Sequence, residues 1–234
     1  MKEAIILAGG LGTRLRSMVA DLPKCMAPVN GKPFLAYVIE YLQQQGIERF
    51  IFSLGYMSAP IIDFLNKEFP FLKFKTSLED EPLGTGGAIK QALTFAESEN
   101  TLVTNGDTLF KIDVNEVAAI HNNTNADCTL SLKPMNQFDR YGVVVTDTSG
   151  KIISFKEKQY YESGLINGGV YILNKKSFLS EDLPQKFSFE KDYLEKYFAT
   201  RKMYGIEQQQ YFIDIGIPED YAKAQIELPS HYSQ

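Results

Sequence analysis

The sequence predicts an α/β protein built on a parallel sheet that carries helices on both faces. Three observations predict it. Strand-like and helix-like segments alternate strictly through the first half. The first strand, Ala4-Ile5-Ile6-Leu7-Ala8, is an unbroken apolar run, as a strand buried on both faces needs. The length of 234 residues fits one α/β domain and allows a single substantial core.

The elements follow in order. The strand at 4–8 runs into a glycine-rich loop. Residues 34–45 place Leu35, Val38, Ile39 and Leu42 at helical spacing. Residues 49–54 read as a strand, and 59–67 as a helix with Ile61, Ile62 and Leu65 inward. A strand at 72–78, a helix at 86–97 and a strand at 101–105 complete the alternation. The second half changes character. Residues 126–132, 142–146, 151–157 and 166–173 all read as strands, two of them joined by the hairpin-like Asp147-Thr148-Ser149-Gly150. Helical patterns return at 189–198 and 219–226. There is no internal repeat and no low-complexity tract, and the absence of a hexapeptide repeat argues against a C-terminal β-helix domain. The reading is a single domain over 1–234.

Composition narrows the function. With 44% hydrophobic and 23% charged residues the chain is an ordinary globular protein, not a disordered one. The net charge is −5 and no Lys/Arg block stands out, which disfavours a nucleic-acid partner and favours small molecules. Cys25 and Cys128 make neither a disulfide framework nor a metal site, so a reducing compartment is the simpler expectation. The run at 4–8 is too short for a signal-peptide core or a membrane span. A cytoplasmic protein without a membrane partner is expected. Oligomeric state stays open, and a homo-oligomer is compatible with everything above.

Leu7-Ala8-Gly9-Gly10-Leu11-Gly12-Thr13-Arg14 follows the first strand. Its glycines let backbone N–H groups approach an anion, and the loop leaves the carboxyl end of a strand, where open α/β sheets bind ligands. It is not a dinucleotide fingerprint, because Leu15 stands where Gly or Ala is needed. Gly31-Lys32 is not a phosphate loop either, because Met26 and Pro33 occupy its glycine and hydroxyl positions. The glycines alone would fit a ligand-free turn equally well. Arg14 and Lys24 weigh against that, since two cations beside such a loop suit a triphosphate.

Two acids stand at strand ends. Asp107 closes Thr101-Leu102-Val103-Thr104-Asn105-Gly106, and Asp214 lies in Phe212-Ile213-Asp214-Ile215-Gly216. Mg²⁺ takes hard oxygen ligands, commonly one or two carboxylates plus phosphate oxygens. An isolated Asp in Asn-Gly-Asp is also a common turn residue. No Ser/His/Asp or Cys/His arrangement is evident, His121 and His231 read as surface residues, and no covalent intermediate is indicated.

Six further segments occur in order. They are Glu81-Pro82-Leu83-Gly84-Thr85-Gly86-Gly87-Ala88, Asn105-Gly106-Asp107, Tyr141-Gly142-Val143-Val144, Phe155-Lys156-Glu157-Lys158, Asn167-Gly168-Gly169-Val170-Tyr171 and Asp214-Ile215-Gly216. Together with the opening loop, Pro23-Lys24, Pro28-Val29 and Gly31-Lys32-Pro33, they make nearly the whole chain resemble the sugar-1-phosphate nucleotidyltransferases. Within that family the likeness is greatest to the D-glycero-D-manno-heptose 1-phosphate guanylyltransferases.

The resemblance implies a Rossmann-like nucleotidyltransferase fold, with a mixed, mostly parallel sheet flanked by helices and an inserted sugar-binding β region. Residues 1–125 would mainly bind nucleotide and 126–234 mainly sugar phosphate. It implies transfer of GMP from GTP to a sugar 1-phosphate with Mg²⁺ as cofactor. Arg14 would contact the β- and γ-phosphates and Lys24 the α-phosphate, while Asp107 and Asp214 would hold the metal. Leu7, Gly9, Gly10, Gly12, Thr13, Pro82, Gly84 and Thr85 would lie against the nucleotide. Gly142, Glu157, Lys158 and Asn167 would hold the sugar phosphate, although Gln159 replaces the usual proline after Lys158.

Glu79 falls where the family often reads the base. A carboxylate only accepts hydrogen bonds, and guanine alone presents two adjacent donors, N1–H and N2–H₂. Glu81 remains a second candidate for that role. The same chemistry on mannose, glucose or N-acetylmuramate 1-phosphate, or with UTP, dTTP or CTP, is the near alternative. A phosphocholine acceptor and a non-catalytic regulatory binder are the more distant ones.

Overall fold

The computed structural model describes residues 1–10, 22–55 and 57–232, with side chains through Leu228. Gly12, Thr13 and Arg14 lie outside the described residues. From the N-terminus, strand β1 (Glu3–Leu7) precedes a 3-10 turn at Lys24–Met26, the small hairpin of β2 (Pro28–Val29) and β3 (Lys32–Pro33), and helix α1 (Phe34–Gln44). Then β4 (Arg49–Leu54), α2 (Ser58–Glu68), β5 (Lys73–Leu78), α3 (Gly84–Leu93) and β6 (Asn100–Asn105) alternate. Next come β7 (Thr108–Phe110), α4 (Val114–Thr124), β8 (Cys128–Phe138), β9 (Val143–Thr146), β10 (Ile152–Lys156) and β11 (Tyr161–Asn174). The chain closes with α5 (Lys175–Leu179), a π-helical segment at Phe189–Leu194, α6 (Glu195–Tyr197), β12 (Met203–Glu207), β13 (Phe212–Asp214) and α7 (Pro218–Tyr232).

Strands β6, β1, β4 and β5 lie side by side in that order and are parallel. The apolar run of β1 explains its central place, because neighbours on two edges and helices on two faces bury it from Glu3 to Ile6. Ile6 packs with Phe50, Phe52 and Leu102 on the face covered by α1, α2, α4 and α7. Ile5 packs with Ile51 and Val103 on the face covered by α3, α5 and the π-helical segment. Successive strands after β1 proceed outward to β5, and the chain then returns to set β6 on the other side of β1. The order therefore reverses between β1 and β6, which opens a crevice at their carboxyl ends.

The second half turns the sheet mixed. β11 runs antiparallel to β6 through Val170–Asn174 and to β8 along much of its length. β9 and β10 form an antiparallel hairpin, and β9 touches β11 at Val143 and Ile166. The register between β11 and β8 breaks between Asn167 and Tyr171. Such a bulge re-aims the strand locally.

The sequence reading assigns no range to α4, β12 or β13, and two of the elements it does contain differ in form. The helix read at 86–97 starts at Gly84 and stops at Leu93. Past Leu93 the Thr94, Phe95 and Ala96 amides donate to carbonyls three residues back, and the Glu97 and Ser98 amides donate to the buried carboxylate of Glu3, at 2.9–3.2 Å. The helical pattern at 189–198 is π-wound over its first six residues. His121, read as a surface residue, is 1% exposed and hydrogen-bonds Thr129 across to β8. Among the described residues, no helix is long and apolar enough to cross a membrane.

Candidate active site

The crevice between β1 and β6 opens into a cavity of about 480 Å³. Of the residues singled out by sequence, Leu7, Gly9, Gly10, Lys24, Glu79, Pro82, Gly84, Thr85 and Asp107 all border it. Gly9 owes its lack of a side chain to packing. A Cβ there would lie 2.8 Å from Glu79 Oε1 and 2.9 Å from the Gly55 amide nitrogen. Gly10 is different, since a Cβ would meet nothing within 4 Å among the described residues. Glu79 begins the loop after β5, and Ser53 Oγ and the Leu83 amide donate to its carboxylate at 3.3 and 3.0 Å. Glu81 is exposed and borders neither this cavity nor its neighbour. Of these two acids, Glu79 is the one that borders a cavity.

A second cavity, about 620 Å³, shares Lys24, Asn105 and Asp107 with the first. Three charged side chains meet where the two join. Asp107 follows β6, Asp214 ends β13, and the pairing of β13 with β7 sets Asp214 opposite Thr108. The Ile215 amide donates to the Asp107 carbonyl at 3.1 Å, tying the two acid-bearing turns together. Lys24, on its 3-10 turn, pairs with Asp107 and lies 3.6 Å from Asp214 Oδ1. Burial, and then the neighbouring charge of Asp107, hold the Asp214 carboxyl above the usual carboxylate range, against the weaker pull of Lys24 and the Gly216 amide. Two acids competing for one ammonium are an under-neutralised pair of hard oxygen donors, the chemistry a divalent cation satisfies. Among the described residues, no group of three or more His, Cys, Asp or Glu comes together.

Among the described residues, one thiol borders the crevice. The Cys25 thiol borders the first cavity, but burial and the Asp107 charge push it up to about 12, which keeps it protonated near neutral pH.

The second cavity collects Gly142, Glu157, Lys158, Asn167 and Asp214. Glu157 and Lys158 are exposed, just past the end of β10. Gly142 faces them closely: a Cβ there would sit 2.5 Å from the Lys156 carbonyl oxygen. Asn167, at the bulge of β11, donates to Tyr171 Oη at 2.9 Å and accepts from the Gly169 amide at 3.0 Å. That leaves it one amide hydrogen and a lone pair for a ligand.

Sequence reasoning missed Tyr141, Tyr171, Ser188, Glu190 and Lys191, which border this cavity too. The first two sit inside segments already quoted for the resemblance. Burial first, and then the charge of Asp214, push the Tyr141 hydroxyl up to about 12. The last three lie on or beside the π-helical segment, and nothing in the local pattern marks them.

Comparison with known proteins follows the same outline. The sequence profile described as nucleotidyl transferase matches residues 3–231. A D-glycero-alpha-D-manno-heptose 1-phosphate guanylyltransferase of Aneurinibacillus thermoaerophilus is 53% identical over 98% of this chain and 99% of its own. The enzyme of the same description from Campylobacter jejuni subsp. jejuni serotype O:2 is 48% identical over 94% of this chain and 96% of its own. The crystal structure of HddC from Yersinia pseudotuberculosis complexed with GMP-PN superposes with a TM-score of 0.87 at 42% identity, over 97% of this chain and all of that one.

Proposed function

This chain belongs to the nucleotidyl transferase family, and on that premise we propose that it transfers GMP from GTP to D-glycero-α-D-manno-heptose 1-phosphate, giving a GDP-sugar and pyrophosphate. The observation that carries this reading is the meeting of two cavities at Lys24, Asp107 and Asp214. One cavity has room for a nucleoside triphosphate and the other for a phosphorylated sugar. Their junction is where an α-phosphorus and an attacking phosphate oxygen would meet.

The reaction is direct displacement. The acceptor's phosphate oxygen bonds to the α-phosphorus as the bond to the pyrophosphate oxygen breaks on the opposite side. Direct displacement uses no side-chain nucleophile, so catalysis rests on positioning and charge neutralisation. Lys24 reaches the α-phosphate from the acid pair, and Arg14 steadies the departing pyrophosphate. Asp107 and Asp214 would hold Mg²⁺, which supplies positive charge to the phosphate oxygens. Glu79 accepts from guanine N1–H and N2–H₂. Gly9, Gly10, Gly12, Thr13, Pro82 and Gly84 lie along the nucleotide. Lys158 holds the acceptor phosphate, while Glu157, Asn167 and the Gly142 amide take the sugar. One domain carries both halves of the site, and a cytoplasmic setting suits its soluble substrates.

The test is pyrophosphate release across GTP, UTP, dTTP, CTP and ATP, each offered heptose, mannose, glucose and N-acetylmuramate 1-phosphates and phosphocholine. The highest kcat/KM is expected for GTP with the heptose. A higher value for another pair would overturn the assignment.

A further inference from the structure

Two walls of the site are fastened to each other. The loop and helix start at Leu83–Gly87 borders the nucleotide cavity, and the segment around Gln185–Lys191 borders the acceptor cavity. They interlock through the backbone. The Phe187 amide donates to Leu83 and the Gly86 amide to Phe187, both at 3.0 Å. A Cβ on Gly86 would enter the Phe187 ring, and one on Gly87 would lie 2.2 Å from the Gln185 carbonyl oxygen. These glycines therefore admit the acceptor wall.

One side-chain pair closes the interlock. Thr85 Oγ donates to Glu190 Oε2 at 2.7 Å and accepts from the Phe189 amide at 2.9 Å. Ser188 Oγ donates to the same Glu190 oxygen at 2.9 Å. Thr85 borders the nucleotide cavity and Glu190 the acceptor cavity. Glu190 stands on a π-helical segment, a winding that recurs at functional sites. A ligand that settles either wall thus constrains the other.

We propose that Thr85 and Glu190 are positioning residues that couple the two cavities, so that an occupied acceptor site strengthens nucleotide binding and the reverse. This rests on the two-substrate reading above. Reciprocity follows from linkage, since each ligand changes the other's affinity by the same factor.

The experiment measures binding of guanosine 5′-(α,β-methylene)triphosphate, which does not react, by calorimetry with Mg²⁺ present. It is done with and without saturating D-glycero-α-D-manno-heptose 1-phosphate. In the wild type the acceptor should tighten nucleotide binding about 5- to 10-fold. Thr85→Val and Glu190→Ala should each bring that ratio to within about twofold of one. The double variant should lose no more than either single change, as members of one contact do. Thr85→Ser, which keeps the hydroxyl, should retain the wild-type ratio. Both changed side chains have solvent access, and thermal melting reports whether each variant folds. A ratio of one in the wild type, or a ratio unmoved in Thr85→Val and Glu190→Ala, overturns the coupling while both ligands still bind. If neither ligand binds the wild type, the substrate assignment fails and the coupling falls with it.

Discussion

Asp107 and Asp214 arrive from strands more than a hundred residues apart in sequence and share one lysine. Removing one acid should empty the metal site rather than unfold the chain, because its loss relieves repulsion on the other. Asp107→Ala is expected to lower kcat by at least about 10²-fold, with the far-ultraviolet circular dichroism unchanged. Wild-type turnover should vanish in EDTA and return with Mg²⁺; turnover that survives chelation would remove both acids from the metal assignment. Glu79 carries a separate prediction. In Glu79→Gln the carbonyl oxygen can keep the Leu83 amide, so an NH₂ group would face guanine donors. One lost and unpaired hydrogen bond costs about 1–3 kcal/mol, roughly 5- to 150-fold in kcat/KM for GTP. UTP should lose less. Kinetics with both nucleotides decide it, and an unchanged GTP/UTP ratio would leave Glu79 without a reading role.

At the scale of elements, α3 is held by what packs on it. The Gln185 carbonyl oxygen above Gly87 is backbone and has little freedom to move aside. Gly87→Ala should therefore displace the acceptor wall and destabilise the fold by about 1–3 kcal/mol, read from urea unfolding. It should also raise KM for the sugar phosphate more than KM for GTP. Gly10→Ala is the contrasting case. Its Cβ would meet none of the described residues, so unfolding should shift by less than about 0.5 kcal/mol while nucleotide binding weakens. Equal stability losses in the two variants would show that the packing argument is wrong.

For the molecule as a whole, His121 ties α4 to the sheet and sets a limit on acid stability. Burial lowers its pKa to about 4, and its Nε2 has no hydrogen-bond partner among the described residues. The unfolded chain, with an ordinary histidine, takes up a proton first as pH falls. Stability from this group is therefore whole above about 6.5 and drains until about pH 4, with a loss of about 2 kcal/mol by pH 5. Asp214 acts in the opposite sense: its raised folded pKa means that the native state gains a proton early, which offsets part of the loss. Urea midpoints at pH 7.5 and 5 should diverge more in the wild type than in His121→Gln. Equal divergence would place the acid sensitivity elsewhere.

Much of this was legible without coordinates. Continuous apolar runs separated by helical periodicity can be buried only in a helix-covered parallel sheet, so β1 and its neighbours follow from local pattern. The acids and glycines at strand ends follow for the same reason, because such a sheet opens its crevice there. Other features depend on partners that local pattern does not contain. Glu3 accepts from the amides that follow α3, some ninety residues away. Phe187 and Gln185 explain why Gly86 and Gly87 carry no side chains. The course of the chain after β5 brings Glu79 to the cavity and leaves Glu81 in solvent. His121 is buried because α4 turns it toward Thr129. Periodicity states which face of an element is apolar. Which polar group meets it there is decided only when distant segments pack together.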